Sequence, residues 1–292
     1  MERRQFLTTA GAAFTATVTG AAVVGSESAA AATVPPYVTT REQFDDDGEL
    51  KPGYTATEYD TVGTIPGFDG YAGDVTVMIH GWSKSGDDPE AAARDRFAKT
   101  KTRLENAGYD GEVIGFSWDN DVGGGLDFGW SEAQKAAQAN GLKLAQFAYD
   151  WQSSGNGDVR FTSHSLGAQV LFWALRTLDG SSLWNGAGYE VRTVHPFGAA
   201  TDNETPTDED SDTYDAVANQ VTAAHNYHSE ADDVLQWVYN TVEFDQALGE
   251  TGAEAGNSVP SNYSDHDRTD SVGDDHGTYL EHIAPQLVGH MI

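Results

Sequence analysis

A serine lies where a short apolar run of the chain gives way to a longer helical stretch. Ser165 is the third residue of SHSLG, which begins at the end of the run DVRFTS and leads into LGAQVLFWALRTL. A tight strand-to-helix turn needs small neighbouring residues, and it lifts a hydroxyl above the sheet edge at the positive end of the helix. Ser165 is therefore predicted to be a catalytic nucleophile.

A serine hydroxyl attacks well only when a base takes its proton, and the base is in turn oriented by a carboxylate. The chain has nine histidines and 46 acidic residues that could fill these two roles. It has no cysteine, which excludes a thiol nucleophile and disulfide bonds. Residue type alone leaves the partners of Ser165 open.

The run SHSLGAQ resembles the G-H-S-L-G-A motif of lipases, with Ser163 in the place of the first glycine. A strained backbone costs more at serine than at glycine, but serine is still small. On this motif, residues 70–292 resemble the α/β-hydrolase superfamily in its lipase and esterase branch. The resemblance implies hydrolysis of carboxylic esters, without a cofactor or a metal ion.

A second motif, His80-Gly81-Trp82, ends the first strongly apolar run. It is similar to the H-G-x motif that supplies one backbone N–H of the oxyanion hole in such hydrolases, the other coming from the residue after the nucleophile. The resemblance implies that the N–H groups of Trp82 and Leu166 face the oxygen on which negative charge develops. His80 itself is predicted to be structural.

In this superfamily the acid, and then the base, follow the nucleophile along the chain. Asp232 lies in SEADDVL, just after the apolar run at 221–228, and this pattern resembles the acid loop of many hydrolases. Asp232 is therefore the predicted acid. Asp233 beside it and Asp202 after the preceding strand remain alternatives.

The predicted base is His276, in the polar sequence DDHGTY before the last predicted helix, where the base of this superfamily usually lies. His266 is the alternative. His225 and His228 precede the acid, and residues three apart on a strand point to opposite faces, which disfavours a zinc site made by this pair. The predicted triad is Ser165, Asp232 and His276, with no metal ligand assigned.

From residue 70 onward, short apolar runs alternate with helical stretches. The predicted strands cover 74–80, 112–118, 158–163, 190–197 and 221–228, with a weak candidate at 261–269. The predicted helices cover 89–107, 131–152, 166–178, 214–220, 234–248 and 277–290. Strands that alternate with helices form βαβ units. The prediction is a doubly wound α/β fold, with a mostly parallel sheet and helices on both faces.

Composition divides the chain into three segments. Residues 1–32 begin with paired arginines followed by Phe-Leu, continue with a weakly apolar stretch and end in alanines, which resembles a twin-arginine signal for export of folded proteins. Thr and Gly make this stretch too polar for a membrane anchor. Residues 33–69 form a predicted loosely structured lead-in with room for edge strands, and residues 70–292 a single domain. The protein is predicted to be secreted.

The chain of 292 residues carries a net charge of −30, with 46 acidic and 16 basic side chains. Such a surface repels phosphate backbones and anionic lipid, so nucleic-acid binding is excluded and no stable membrane insertion is expected after signal removal. An acidic excess spread along the chain is typical of proteins from salt-saturated habitats. The Debye length is ~30 Å at 0.01 M salt and ~3 Å at 1 M, so concentrated salt screens the repulsion.

Four aromatic residues near the predicted strand ends are candidates for the wall of an acyl pocket or for the core: Trp82, Trp118, Phe128 and Trp130. The glycines at 123–125 would allow that loop to move as a lid. Acyl-chain length does not follow from the fold.

These observations predict a secreted, salt-adapted serine hydrolase that acts on a small-molecule or lipid ester. One alternative keeps the fold and the triad but cleaves amide or peptide bonds, or transfers the acyl group. Another is an exported binding protein that has the fold and lacks turnover. Activity and labelling of Ser165 distinguish the three.

The acidic composition predicts a salt-dependent melting temperature. Between dilute buffer and 3 M KCl, screening of the carboxylates should raise the melting temperature by about 10 °C, equivalent to a few kcal/mol for a chain of this size. Thermal unfolding followed by circular dichroism measures the shift. Sucrose, which stabilises by exclusion without screening charge, is the control. A melting temperature that is flat in KCl would contradict salt adaptation.

Overall fold

Eight strands form one sheet in the computed structural model, which describes residues 33–68, 72–82, 88–121, 129–243 and 245–292. The strands are β1 Tyr37–Thr39, β2 Asp60–Val62, β3 Val75–Ile79, β4 Glu112–Ser117, β5 Val159–His164, β6 Val191–Phe197, β7 Val221–His228 and β8 Tyr263–Asp267. Their order across the sheet is β2-β1-β4-β3-β5-β6-β7-β8. β2 is antiparallel to β1, and the other neighbouring pairs are parallel.

Helices cover both faces of this sheet. They are α1 Pro89–Asn106, α2 Trp130–Ser153, α3 Gly167–Asp179, α4 Ser182–Ala187, α5 Ser211–Gln220, α6 Asp233–Val238, α7 Leu248–Thr251, α8 Thr269–Val272 and α9 Tyr279–Met291. Helix α3 packs against α2 and α5, whereas α1 packs against α9. Two separate buried clusters accompany these two groups of helices. The predicted doubly wound α/β fold is confirmed.

The apolar runs became strands because parallel strands covered on both faces need continuous apolar sequence. In β3, for example, all five residues of VTVMI are buried. In the part of the chain that the structure describes, no helix is long and apolar enough to cross a bilayer. The predicted signal at 1–32 lies outside the described residues.

Two segments contain strands that the sequence only allowed for, and a third differs from the expectation. The lead-in adds β1 and β2 to the sheet edge and buries Val38, Phe44 and Ile65. The weak candidate at 261–269 forms β8, which pairs with β7. The stretch 234–248, predicted as one helix, is divided into α6, a π-helical turn at Tyr239–Glu243 and the start of α7.

The chain changes direction between β3 and β5. These strands are neighbours, but the chain continues from β3 to β4 on one side and from β5 to β6 on the other. In open α/β sheets, ligands bind beyond the carboxyl ends of the strands at such a switch point. Residues 80–82 follow β3 and Ser165 follows β5, so both predicted motifs meet at this crevice.

Candidate active site

Ser165 occupies the turn between β5 and α3 with a left-handed backbone, at φ 55°. A non-glycine residue is strained in this region and stays there only when its surroundings hold it. The N–H of Ser165 donates to the oxygen of Phe197 at 3.3 Å, and its own oxygen accepts from the N–H of Ala200 at 3.1 Å. The end of β6 therefore fixes the strained turn on both sides.

Two glycines allow the end of β3 to approach this turn. A Cβ atom on Gly81 would lie 2.6 Å from Ser165 Cβ, and one on Gly167 would lie 2.7 Å from the oxygens of Ile79 and His80. Real Cβ atoms do not approach other atoms this closely, so only glycine fits at both positions. The close approach brings the His80-Gly81-Trp82 motif beside the Ser165 side chain. The distance between Ser165 Oγ and the Cβ position of Gly81 is 3.2 Å.

Asp232 is fully buried at the N-terminus of α6, and each of its carboxylate oxygens is hydrogen-bonded. Oδ1 accepts from the N–H of Leu235 at 3.1 Å. Oδ2 accepts from Nδ1 of His276 at 2.7 Å and from the hydroxyl of Tyr279 at 3.1 Å. An ionised carboxylate only accepts hydrogen bonds, so Nδ1 of His276 carries the proton.

A proton on Nδ1 leaves Nε2 of an uncharged imidazole with a free lone pair. Among the described residues, Nε2 is buried and has no hydrogen-bond partner. The ring lies over the end of β6, because a Cβ on Gly198 would be 3.2 Å from its Cε1. Ser165 is hydrogen-bonded to Phe197, the residue before Gly198. The backbone of Ser165 and the ring of His276 thus border the same strand end, but no hydrogen bond joins Ser165 Oγ to His276 Nε2 among the described residues.

The backbone of His276 is held by a chain of polar contacts from α1. Nε2 of His164 donates to the His276 oxygen at 2.8 Å, and Nδ1 of His164 accepts from Arg96 at 3.3 Å. Burial, and the positive charge of neighbouring groups, lower the pKa of His164 well below its usual value, so this ring is neutral. A neutral ring with one N–H and one lone pair matches these two contacts.

The peptide between Gly81 and Trp82 is also oriented by side chains. The Gly81 oxygen accepts from Nδ1 of His80 at 2.9 Å and from Nδ2 of Asn120 at 2.7 Å. In a trans peptide the N–H points away from the C=O, so these bonds aim the Trp82 N–H to the other side. Leu166 precedes the first turn of α3, where backbone N–H groups have no partner within the helix.

The alternative acids lie elsewhere. Asp202 lines a polar cavity with Arg176 and Asp210, and partial burial with the nearby carboxylates of Glu243 and Asp245 raises the pKa of Asp202 to about 6. Asp233 is exposed at the start of α6, and its pKa is raised by desolvation and by Asp232. Of the three candidates, Asp232 is the one hydrogen-bonded to His276 in the described structure.

The alternative base His266 lies in β8 and contacts His225, with 3.1 Å between their ring nitrogens. His80 is buried, accepts from the N–H of Trp118 at 3.2 Å and stacks on the Trp118 ring. Burial lowers the pKa of His80 well below its usual value, in keeping with a structural residue.

The aromatic candidates separate into core and site residues. Trp118 and Trp130 are buried, whereas Trp82 is partly exposed and contacts Trp130 edge to face. Phe128 and the glycines at 123–125 lie outside the described residues. Trp82 is therefore the described member of this group that remains a candidate for the pocket wall.

Sequence patterns did not single out Arg96, Asn120, His164 or Tyr279 as parts of this site. Asn120 has the clearest signal, because it lies just beyond the carboxyl end of β4, where α/β folds place functional side chains. Tyr279 follows the predicted base by three residues. The contact of Arg96 with His164 joins residues 68 apart and has no local signature.

The fold and this strand-to-helix serine turn define the chain as an α/β protein with a candidate nucleophile at its switch point. A search of solved structures found similarity to an acetylxylan esterase solved at 0.90 Å resolution, with a TM-score of 0.41, 14% identity and coverage of 74% of this chain and 95% of that chain. This likeness is too weak to assign an activity. The sequence matches no protein family and no curated protein.

The close approach of β3 to the serine turn predicts that Gly81→Ala destabilises the protein. The added Cβ would meet Ser165 Cβ at 2.6 Å and the His164 oxygen at 2.8 Å, and backbone atoms cannot move aside without cost. Overpacking of this kind typically costs about 1–3 kcal/mol. The midpoint of denaturant unfolding measures it. Gly73→Ala is the control, because its Cβ would meet nothing within 4 Å. Equal midpoints for the two variants would contradict the predicted contact.

Proposed function

We propose that the protein is a serine hydrolase that cleaves carboxylic esters, with Ser165 as nucleophile, His276 as base and Asp232 as the acid that orients the base. The observation that carries this proposal is the 2.7 Å hydrogen bond between Asp232 and His276 Nδ1, which leaves Nε2 free at the strand end that anchors Ser165. An acid, a base and a strained serine in this relation fit acyl transfer through a covalent intermediate.

In the proposed reaction, Ser165 Oγ attacks the ester carbonyl while His276 Nε2 takes the hydroxyl proton. Asp232 stabilises the imidazolium that forms, and it does so without itself taking up the proton. The imidazolium then gives its proton to the leaving alcohol, and the acyl-enzyme remains. His276 next takes a proton from water as the water attacks the acyl group, and it then gives this proton to Ser165 Oγ as the carboxylic acid is released.

The oxyanion formed in both steps would lie between the N–H groups of Trp82 and Leu166. The pair of bonds from His80 and Asn120 to the Gly81 oxygen supports this role for Trp82, because the peptide is fixed before substrate arrives. A donor that is already oriented costs no reorganisation during the reaction, and the loss of one donor typically costs ~10²–10³ in rate.

The substrate is proposed to be a lipid or small-molecule ester met outside the cell. The signal-like residues 1–32 and the net charge of −30 support export into concentrated salt. The half-buried Trp82 follows Gly81, which approaches Ser165, and its ring packs on Trp130, so Trp82 is the proposed apolar surface for an acyl group. Cleavage of an amide, or acyl transfer, would use the same residues.

The first experiment tests the nucleophile. In 3 M KCl a fluorophosphonate probe should label the protein, and Ser165→Ala should abolish labelling and lower p-nitrophenyl ester turnover at least ~10³-fold. Ser182→Ala, at an exposed serine that begins α4, is the control and should behave as wild type. Faster cleavage of anilides than of esters would favour an amidase. Folded protein that is not labelled would contradict the enzyme proposal and favour a binding protein.

A second experiment tests the acid. Asp232→Asn removes the charge that stabilises the imidazolium, so kcat should fall by about 10³–10⁴. Asp202→Asn and Asp233→Asn should keep kcat within a few-fold, since neither side chain contacts His276 among the described contacts. Steady-state kinetics on an ester in 3 M KCl, with the melting temperature of each variant, separates catalytic loss from unfolding. A large loss confined to Asp202→Asn or Asp233→Asn would reassign the acid.

A further inference from the structure

Three histidines from different elements meet on the sheet face that α9 covers. His225 lies in β7, His266 in β8 and His290 near the end of α9. One ring nitrogen of each lies within 4.8 Å of the others. The rings are half-buried, which leaves the group open to solvent on one side. The predicted base, His276, lies just before the opposite end of α9, ~20 Å away along the helix.

The distances suit one metal ion. Two nitrogens bound to zinc at 2.0–2.1 Å in a tetrahedral arrangement lie ~3.3 Å apart. Nδ1 of His225 and Nε2 of His266 are 3.1 Å apart. The ring centroid of His290 lies 4.1 Å from that of His225 and 4.8 Å from that of His266. The His290 ring is stacked on the His225 ring at an interplanar angle of 17°, so it must turn about its side-chain bonds to bring a nitrogen to the third corner of a tetrahedron.

Neighbouring side chains orient the rings as metal-bound histidines are usually oriented. Metal-ligating histidines generally use their second nitrogen in a hydrogen bond that fixes the ring. The Tyr227 hydroxyl is 2.9 Å from Nδ1 of His290, which leaves Nε2 of that ring for a ligand. Nε2 of the Gln286 amide lies 3.4 Å from Nδ1 of His266, and a flip of this amide would place its oxygen there to accept the ring proton and leave Nε2 for a ligand. Both partners thus lie on the far sides of the rings.

A histidine binds a metal as neutral imidazole, so a proton on the ring competes with the ion. Three imidazoles without a carboxylate select zinc, copper or nickel over magnesium or calcium.

We propose that His225, His266 and His290 bind one divalent transition-metal ion, with Zn²⁺ as the best fit and a water molecule as the fourth ligand. The ion joins β7, β8 and α9 and so fastens the C-terminal helix to the sheet. This site is independent of the proposed esterase activity, because it shares no residue with Ser165, Asp232 and His276.

The test uses the full chain without a polyhistidine tag, in 3 M KCl at pH 7.5. After equilibration with Zn²⁺ and dialysis, elemental analysis should find one zinc per chain. Zn²⁺ should also raise the melting temperature by several degrees, and Co²⁺ in its place should give the strong visible absorption of tetrahedral coordination. Fewer than one tightly held ion per chain in the wild type would overturn the proposal.

Variants assign the ion to this cluster. His266→Ala and His290→Ala should each lose the bound zinc, the melting shift and the cobalt spectrum. His282→Ala is the matched control, since it lies exposed on the same helix as His290 and should keep all three. Should one variant fail to fold, the other decides. Retention of a full equivalent of zinc by a folded His266→Ala or His290→Ala protein would place the ion on surface carboxylates and overturn the assignment.

Discussion

The left-handed backbone at Ser165 is the constraint around which the crevice is arranged. A serine at φ 55° is costly, and the neighbouring strands supply the contacts that hold it. Phe197, at the end of β6, and Ala200, just after it, form hydrogen bonds with the Ser165 backbone. Gly81 and Gly167 have no side chain, which allows the end of β3 to pack closely against this turn. The strained turn therefore restricts which residues fit at the carboxyl ends of β3, β5 and β6.

Asp232 joins that crevice to the C-terminal part of the chain. Asp232 lies in the loop between β7 and α6, directly before α6. Its side chain forms hydrogen bonds with His276 and Tyr279, which lie more than 40 residues further along the chain. A buried carboxylate is tolerated only when its oxygens are hydrogen-bonded, and a buried acceptor left without a partner commonly costs about 1–3 kcal/mol. The same bonds that hold the base in place therefore stabilise the docking of α9, which begins at Tyr279.

Local sequence patterns were enough to predict the features that depend on interactions between residues close together in the chain. The apolar runs and helical stretches predicted the fold, and the strand-to-helix placement of Ser165 needed only residues near it. The contact between Asp232 and His276 was expected only through a resemblance, because nothing in either local sequence specifies a partner 44 residues away. Roles in catalysis stay predictions until turnover is measured.

Other features depend on packing between distant segments and left no local pattern. The periodicity of the stretch 234–248 predicts one helix, but the structure divides it before Gly249. The Cβ position of Gly249 lies only 2.0 Å from the Ala199 nitrogen. The chain therefore turns before Gly249 to approach the segment that follows β6. The histidine cluster has no local pattern for a similar reason. His225 is paired with His228 in the sequence, whereas its neighbours in the structure are His266 in β8 and His290 in α9.

In the concentrated salt proposed for this protein, the burial of these polar contacts would be important. At ~1 M salt, charges on the surface are screened beyond ~3 Å, so exposed ion pairs contribute little to orientation. Asp232 is fully buried, and Oδ2 is 2.7 Å from its partner, so ions cannot enter between them. His164 is buried in the same way between Arg96 and the His276 backbone. Under the proposed salt adaptation, a surface whose charges need screening would coexist with an interior whose hydrogen bonds do not respond to salt.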